Sequence, residues 1–587
     1  MLTLCLVLLA GALDDLQKEA ARALAAIPHA RTLAEANRAR PELRRKLEAS
    51  LGFRLLPLPA PGVKTAGTLR RQGFRIEKLV YESLPGTPVA AHLYIPDDLK
   101  GRAPAVLFYC GHWWADSKAR PDFQTFCINM ARLGFVVMSF DPFGQGERGV
   151  SSRDHRRVEG LLAGIAQQGF AEYETQAALR ILLARPEVDP RRVGMTGASG
   201  GGYNTWITTA LDDRIAVAVP VVGTSEFFEQ IAAARAHDWY RANEHCHFVP
   251  GLIRYANNHE FIAMAAPRPL LVIAAVEDRS FPIAGVREVA SYGRSLYHAA
   301  GVREKFGFYE DATAGHGYQQ KKREAAYGWF LKWLKDAGDG SPYAEPATET
   351  LSSDDLRCFQ GKEPAGPGMV AAVRVVAEGI GGARPWPKLG ETAGSPDSRV
   401  LVTVGARESD AVVAAARKRG WSIAPFELPS GAEMNWAGAV SLLLDDWFVR
   451  RQAAALLDFM RQRRAGAVYA AGPEAGLAAA FAINDARLRW FLLRDCFVSF
   501  RDFLERPKSL ALSYQLRQGE RETLDREIPL YMVPFNGLRY ADIPRLLART
   551  PGIVLNPING DWEPAQPRDL RVARDEAEAI RFVENYR

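Results

Sequence analysis

A serine, an acid and a histidine, in that chain order, are the residue types that turn a weak hydroxyl into a nucleophile. One serine in this sequence is framed for such work: Gly197-Ala198-Ser199-Gly200-Gly201, a G-x-S-x-G. Five residues of that kind recur by chance, so their flanks decide. Val193-Gly194-Met195-Thr196 predicts a strand, and Gly200 to Ala210 predicts a helix. Strand, sharp turn and helix around G-x-S-x-G make the setting of a nucleophile elbow. Gly197 and Gly201 leave room for a crowded backbone, and the Gly200 N–H is expected to face a developing oxyanion. A phosphate-binding turn is the competing reading. It lacks the Lys-Ser/Thr ending of a P-loop and the later acid of a dinucleotide fingerprint.

The remaining chemistry should follow later strands. "RPLLVIAAVED" ends in Glu277-Asp278, where Asp278 is the expected orienting acid and Glu277 its rival. "EKFGFYEDATAGHGY" supplies His316 as the base, and His298, the other histidine beyond the acid, lies in a helical run facing solvent. A second oxyanion N–H is expected from Gly111 or His112 in the loop after "AVLFYC", where the His112 ring has an alternative place against substrate. Trp113 and Trp114 in the same loop are either core filler or a stacking surface for a sugar or aromatic group. Between two strands, Gly223 to Ala266 reads as a cap insertion. Its Glu244, His245, Cys246, His247 and His259 include only an i, i+2 histidine pair, so no metal is expected. A serine, acid and histidine need no cofactor.

Those residues must be carried by strands and helices. "FRIEKLVYES" and "PVAAHLYIP" flank Leu84-Pro85-Gly86 as strand, turn, strand. From Ala103, short apolar runs ("APAVLFYC", "GFVVMSFD", "RRVGMTG", "RIAVAVPVV", "RPLLVIAAVED", "EKFGFYED") alternate with helical segments at Phe123–Leu133, Glu172–Leu183 and Gly200–Ala210. That is the pattern of a parallel sheet covered on both faces. After a linker at 341–350 the alternation restarts with "SRVLVTVGA", "AVSLLLDD", "AGAVYAAG", "LRWFLLRD", "IPLYMVPF" and "GIVLNP". The expected fold class is α/β: a mostly parallel α/β-hydrolase-type sheet flanked by helices, then a second α/β domain.

Composition agrees with two domains. The chain has 587 residues, too many for one ordinary core, and 48% of them are hydrophobic, enough to fill two. Its net charge of +6 comes from interspersed acids and bases, which gives no basic stripe for nucleic acid. Six cysteines without a C-x-x-C exclude a disulfide scaffold. Leu2 to Ala10 is apolar but too short to span a bilayer, and Ala10-Gly11-Ala12 has the small residues of a cleavage site. Residues 1–12 are therefore expected to be a signal peptide of a secreted or periplasmic protein, the alternative being a buried helix start in a cytoplasmic one. Residues 13–60 form a helical segment, with Pro28 and Pro41 expected to divide it into short helices.

"GHWWADSK" with Lys118, "DPFGQGER" (Asp141 to Arg148), "GASGGG", the acid-bearing strand after the insertion and "GHGYQQKKREAAYGWFLKWL" together carry a family likeness. Residues 61–340 resemble an α/β-hydrolase of the acetyl xylan esterase and dienelactone-hydrolase-like group. The resemblance implies a carboxylic ester hydrolase acting on a small-molecule or carbohydrate ester. Asp141-Pro142-Phe143 departs from the arginine that acetyl xylan esterases often carry in this loop, which speaks against xylan itself. The second half, 351–587, aligns by eye with the first, with Glu474 of Gly472-Pro473-Glu474-Ala475-Gly476 at the place of Ser199. No histidine follows His316, so this half is expected to be a degenerate hydrolase-like domain without a triad. A serine peptidase of prolyl-oligopeptidase type shares the triad order, but no propeller repeats precede the domain. A binding protein with a relic site is the non-enzymatic alternative.

Overall fold

The computed structural model describes residues 2–56, 62–84, 86–113, 115–148, 159–236, 245–359, 368–380, 384–428, 433–497, 499–500, 535, 537–539, 542–555, 557, 570–573 and 575–585. Trp114 and all of the "IPLYMVPF" stretch but its final Phe535 lie outside them.

Nine strands build the first sheet: β1 (Val63–Arg71), β2 (Phe74–Leu84), β3 (Thr87–Pro96), β4 (Ala103–Tyr109), β5 (Val136–Phe140), β6 (Val188–Ala198), β7 (Val217–Val221), β8 (Leu270–Ala275) and β9 (Phe306–Asp311). Their order is β1-β2-β3-β5-β4-β6-β7-β8-β9. The first three join antiparallel, and from β5 onward every neighbour is parallel. Every residue of β4, β5, β7 and β8 is buried, because helices cover both faces and leave no polar side for alternation. The strand β1 is largely exposed and carries no apolar alternation, so the sequence did not announce it.

Among the described residues a second sheet has six parallel strands: β10 (Val400–Val404), β11 (Ser422–Phe426), β12 (Ala467–Ala471), β13 (Trp490–Arg494), β14 (Gly552–Leu555) and β15 (Leu570–Ala573), ordered β11-β10-β12-β13-β14-β15. The parallel part of the first sheet, β5-β4-β6-β7-β8-β9, has the same order of first, second and later strands. "AVSLLLDD" is not a strand: Glu433–Leu443 is a helix that ends inside it. Buried helix and buried strand share a continuous apolar run, and here tertiary packing chose the helix.

The two halves are packed together. Trp436, on the helix Glu433–Leu443, donates its indole N–H to Ile231 O at 3.0 Å, and Arg235 lies 4.9 Å above its ring. Gly251 N–H reaches Leu442 O at 2.8 Å, and Arg254 bonds Leu444 O. These first-half partners all belong to the 223–266 insertion, and Arg451 adds an ion pair to Glu19 of the N-terminal segment at 3.0 Å. The stretch read as a linker is pinned as well: Glu345 pairs with Arg323 at 2.6 Å, both nearly buried, and accepts the Tyr327 hydroxyl at 2.8 Å.

At the N-terminus Leu2–Ala25 is one helix and Leu33–Leu51 another, with Pro41 inside it. Proline in a helix interior costs about 3 kcal/mol. The expected break does not occur, since Ala36, Leu47 and Leu51 are buried and hold the helix through it. Among the described residues no helix is long and apolar enough to cross a membrane.

Candidate active site

Ser199 leaves β6 at φ 60°, ψ −123° and caps the helix Gly200–Leu211. A non-glycine residue at such a dihedral is strained and needs its surroundings to hold it. The surroundings do so: Ser199 N–H donates to Val221 O at 3.0 Å, and Tyr203 N–H returns to Ser199 O at 2.9 Å. A Cβ on Gly197 would lie 2.4 Å from Tyr109 O and one on Gly201 2.2 Å from the same atom, so the turn closes only with glycine at both places. The Gly200 N–H sits in the first helical turn, where backbone donors have no intrahelical acceptor. Ser199 is nearly buried, at 4% exposure.

Asp278 and His316 come from the ends of β8 and β9. The Asp278 side chain is buried; Oδ2 meets His316 Nδ1 at 2.8 Å, while Oδ1 accepts Ser280 N–H at 2.9 Å and Phe281 N–H at 3.3 Å. Glu277 is exposed and makes no such contact. His316 keeps 34% of its side chain open, with its ring stacked near Trp113 at 6.4 Å and Phe281 at 6.0 Å. Among the described residues no hydrogen bond joins Ser199 Oγ to His316. Such contacts are often long before substrate binds. His298 is exposed in the last turn of the helix Ile283–Ala299.

The histidine loop rests on residues the sequence did not single out. Lys322, wholly buried, donates to Asp311 Oδ2 at 2.9 Å, Gly315 O at 3.0 Å and Gln319 Oε1 at 2.6 Å. Burial pushes its ammonium below the ordinary lysine value against the pull of Asp311. A carboxylate at 311 and a lysine at 322 are ordinary in sequence; only the fold makes them a buried pair.

The loop after β4 leans on the elbow. A Cβ on Gly111 would stand 2.2 Å from Ala198 O, and one on Gly200 2.6 Å from the His112 ring. Trp113 N–H donates to Gln145 Oε1 at 3.1 Å, and Arg120 lies 5.3 Å over the Trp113 ring. Two charged loops anchor this wall: Lys118 Nζ is 2.6 Å from both Asp141 and Glu147. Burial disfavours the Lys118 charge, but the two carboxylates outweigh it and hold the ammonium above its usual value. Below the insertion, a cleft of about 560 Å³ is lined by Ala233, Val276, Glu277, Asp278, Arg279 and Pro282.

Among the described residues, two groups of side chains have metal-ligand chemistry. His92, Glu147 and Cys358 form one, but their atoms are engaged: His92 Nε2 with Leu356 O, and Glu147 with Lys118 and the N–H groups of Cys358 and Phe359. The other joins His112 to Cys246 and His247, one ligand atom from each lying within 4.8 Å of the others. The sequence reading sought partners for Cys246 and His247 inside the insertion; the fold brings one from the loop after β4.

Glu474 does not occupy the Ser199 position. Gly472, at φ 102°, caps the helix Pro473–Asn484, whereas Glu474 lies in its first turn and accepts Gln452 Nε2 at 2.8 Å. The alignment by eye was two residues out of step, because it matched glycines rather than the strand's end.

Residues 68–246 match the family model of acetyl xylan esterase. The putative hydrolase YtaP of Bacillus subtilis (strain 168) is 28% identical over 307 residues, covering 50% of this chain and all of that protein. A 4-O-methyl-glucuronoyl methylesterase of Neurospora crassa is 26% identical over 168 residues, covering 24% of this chain and 40% of that one. Among solved structures, methylesterase BT1017 aligns at a TM-score of 0.47 and 20% identity, over 62% of this chain and 78% of its own.

Proposed function

Taking the chain as an esterase of the acetyl xylan esterase group of α/β-hydrolases, we propose that Ser199, His316 and Asp278 hydrolyse a carbohydrate ester through an acyl-enzyme. Ser199 Oγ attacks the carbonyl as His316 Nε2 accepts its proton; Asp278 holds the opposite nitrogen and stabilises the imidazolium. The N–H groups of Gly200 and of Gly111 or His112 receive the oxyanion. The imidazolium gives its proton to the departing alcohol. Water then enters by the reverse path and releases the acid, with no cofactor required. Trp113, beside His316, offers a face for a sugar ring.

The observation that carries this reading is the 2.8 Å contact between His316 Nδ1 and Asp278 Oδ2, which joins the ends of two neighbouring strands beside the strained Ser199. The domain scheme belongs to the same proposal: residues 61–340 catalyse, with 223–266 as cap, and 351–587 brace the cap without chemistry of their own. Export is part of the proposal. Leu13, Leu16, Ala20 and Leu24 are buried, so cleavage after Ala12 leaves that packing face whole.

A fluorophosphonate should label wild-type enzyme at Ser199, and Ser199→Ala should lose both the label and about 10³-fold or more in kcat on acetylated sugars, uronate methyl esters or aryl esters. A folded Ser199→Ala protein with near-normal turnover rejects the assignment. N-terminal sequencing of protein recovered outside the cytoplasm tests the cleavage.

A further inference from the structure

Three ligating side chains crowd the wall beside Ser199, and the esterase reading gives none of their ring or sulfur atoms a step. Cys246 Sγ lies 3.2 Å from His112 Nε2, and His247 completes the set within 4.8 Å. We propose that His112, Cys246 and His247 bind Zn²⁺, and that the bound ion shuts off ester hydrolysis. The second half rests on the Ser199 reading; the first does not.

Ligand chemistry favours this ion. Two imidazoles and a thiolate suit a borderline-soft, tetrahedral cation, whereas magnesium and calcium take oxygen. Zn–S of about 2.3 Å and Zn–N of about 2.05 Å at the tetrahedral angle put sulfur and nitrogen about 3.6 Å apart. The 3.2 Å contact and the 4.8 Å limit bracket that separation, so closing on an ion takes small side-chain shifts. Much of the ordering is already done. Cys246 and His247 are buried, and the His247 ring stacks on Tyr203 at 4.8 Å and 13° with Phe281 5.5 Å away. Tyr203 stands on the first turn of the helix that Ser199 caps. Binding deprotonates the Cys246 thiol and releases that proton to solvent, so affinity falls as pH falls.

Location supplies the consequence. His112 packs against Gly200, with its Cε1 2.6 Å from where a Cβ of that residue would be. An ion on His112 therefore stands beside the proposed oxyanion donor. It also ties the loop after β4 to the insertion.

The test uses tag-free, full-length protein stripped by a chelator and titrated with Co²⁺. One equivalent should produce a thiolate-to-cobalt charge-transfer band that Zn²⁺ abolishes. Cys246→Ser, close in size to the original, should lose the band and weaken Zn²⁺ binding by about tenfold or more, as should His247→Ala. Cys496→Ser, in the second half, should keep both. Zn²⁺ should inhibit wild-type hydrolysis in step with occupancy, and half-inhibition should move upward by the same factor in Cys246→Ser. Absence of the band, or its survival in Cys246→Ser, overturns the site. Full occupancy without loss of activity overturns the inhibition. A metal-free protein that hydrolyses no ester contradicts the Ser199 reading instead, and the cobalt spectrum still decides the site.

Discussion

Changing Asp278 to asparagine alters one atom, and the structure dictates how the new amide must lie. Oδ1 of Asp278 accepts two backbone N–H groups, from Ser280 and Phe281. An asparagine must keep its oxygen there, which turns its NH₂ toward His316. A donor opposite Nδ1 demands that Nδ1 be unprotonated, so the imidazole proton moves to Nε2, the atom that should take the serine proton. Two losses add. The hydrogen bond to a charged group contributes about 1.5–3 kcal/mol. A carboxylate about 4 Å from the imidazolium charge contributes about 4 kcal/mol at an effective dielectric near 20. His316 is a third open to water, which trims the second figure. A total near 5 kcal/mol corresponds to about 10⁴ in kcat at 1.36 kcal/mol per decade. The assay is steady-state hydrolysis of an aryl acetate, with circular dichroism and thermal melting to show that the fold stands. Glu277→Gln is the matched control and should stay within about twofold. A folded Asp278→Asn enzyme that keeps more than about a tenth of wild-type kcat refutes the tautomer argument, as does a larger loss in Glu277→Gln.

Other consequences are open to direct measurement. Lys322→Met leaves Asp311 buried without its partner, a change that costs about 3–5 kcal/mol; the melting temperature and kcat should both fall, and Asp311→Asn in the same chain should restore part of each. Glu172 is buried, and burial lifts its carboxyl to about 8. A raised folded value means that its favourable term is complete below the unfolded carboxylate range and is lost as pH climbs toward 8. Glu172→Gln keeps partners for Thr208 and Gln176, so its melting temperature should match wild type near pH 4 and exceed it increasingly up to pH 8, with a constant difference contradicting the linkage. Glu474→Ala should leave kcat within about threefold, and a folded variant without activity places chemistry in the second half. Trp436→Ala removes a buried indole from the docked face at about 3–5 kcal/mol; limited proteolysis should separate the halves sooner, and unchanged resistance tells against docking through Trp436.

How much of this was legible depends on how local each signal is. The strands β4 to β9 declare themselves because a doubly covered strand is a short run of apolar residues, and six such runs leave few other folds. The elbow is legible because its crowding requires small residues at fixed offsets, which Tyr109 O enforces from the next strand. Chain order then points to Asp278 and His316, since open α/β sheets gather chemistry at strand ends. What failed to show is what two distant segments make together. His112 and Cys246 are 134 residues apart, and only the packing of the 223–266 insertion against the loop after β4 makes them neighbours. Pro41 misled in the opposite way: a local rule predicted a break that the packing of Leu47 and Leu51 overrides.

The two sheets bear on the division of labour more directly than the aligned glycines did. Both run their parallel strands in the same order, so β12 stands in the second where β6 stands in the first. Each passes through one residue of positive φ into a covering helix: Ser199 at 60° in the first, Gly472 at 102° in the second. A serine in that conformation costs of order 1–3 kcal/mol, and glycine there costs almost none. Stability alone would favour glycine at both turns. A strained serine at this turn presents a side chain that glycine lacks, which supports the role proposed for Ser199. The second half has glycine at its turn and sets Trp436 against the 223–266 insertion. Gly472→Ser supplies the contrast: it should destabilise the chain without creating a fluorophosphonate-reactive site, because no histidine follows His316 to take the proton. Labelling at residue 472 in that variant would mean that the second sheet still holds a working base.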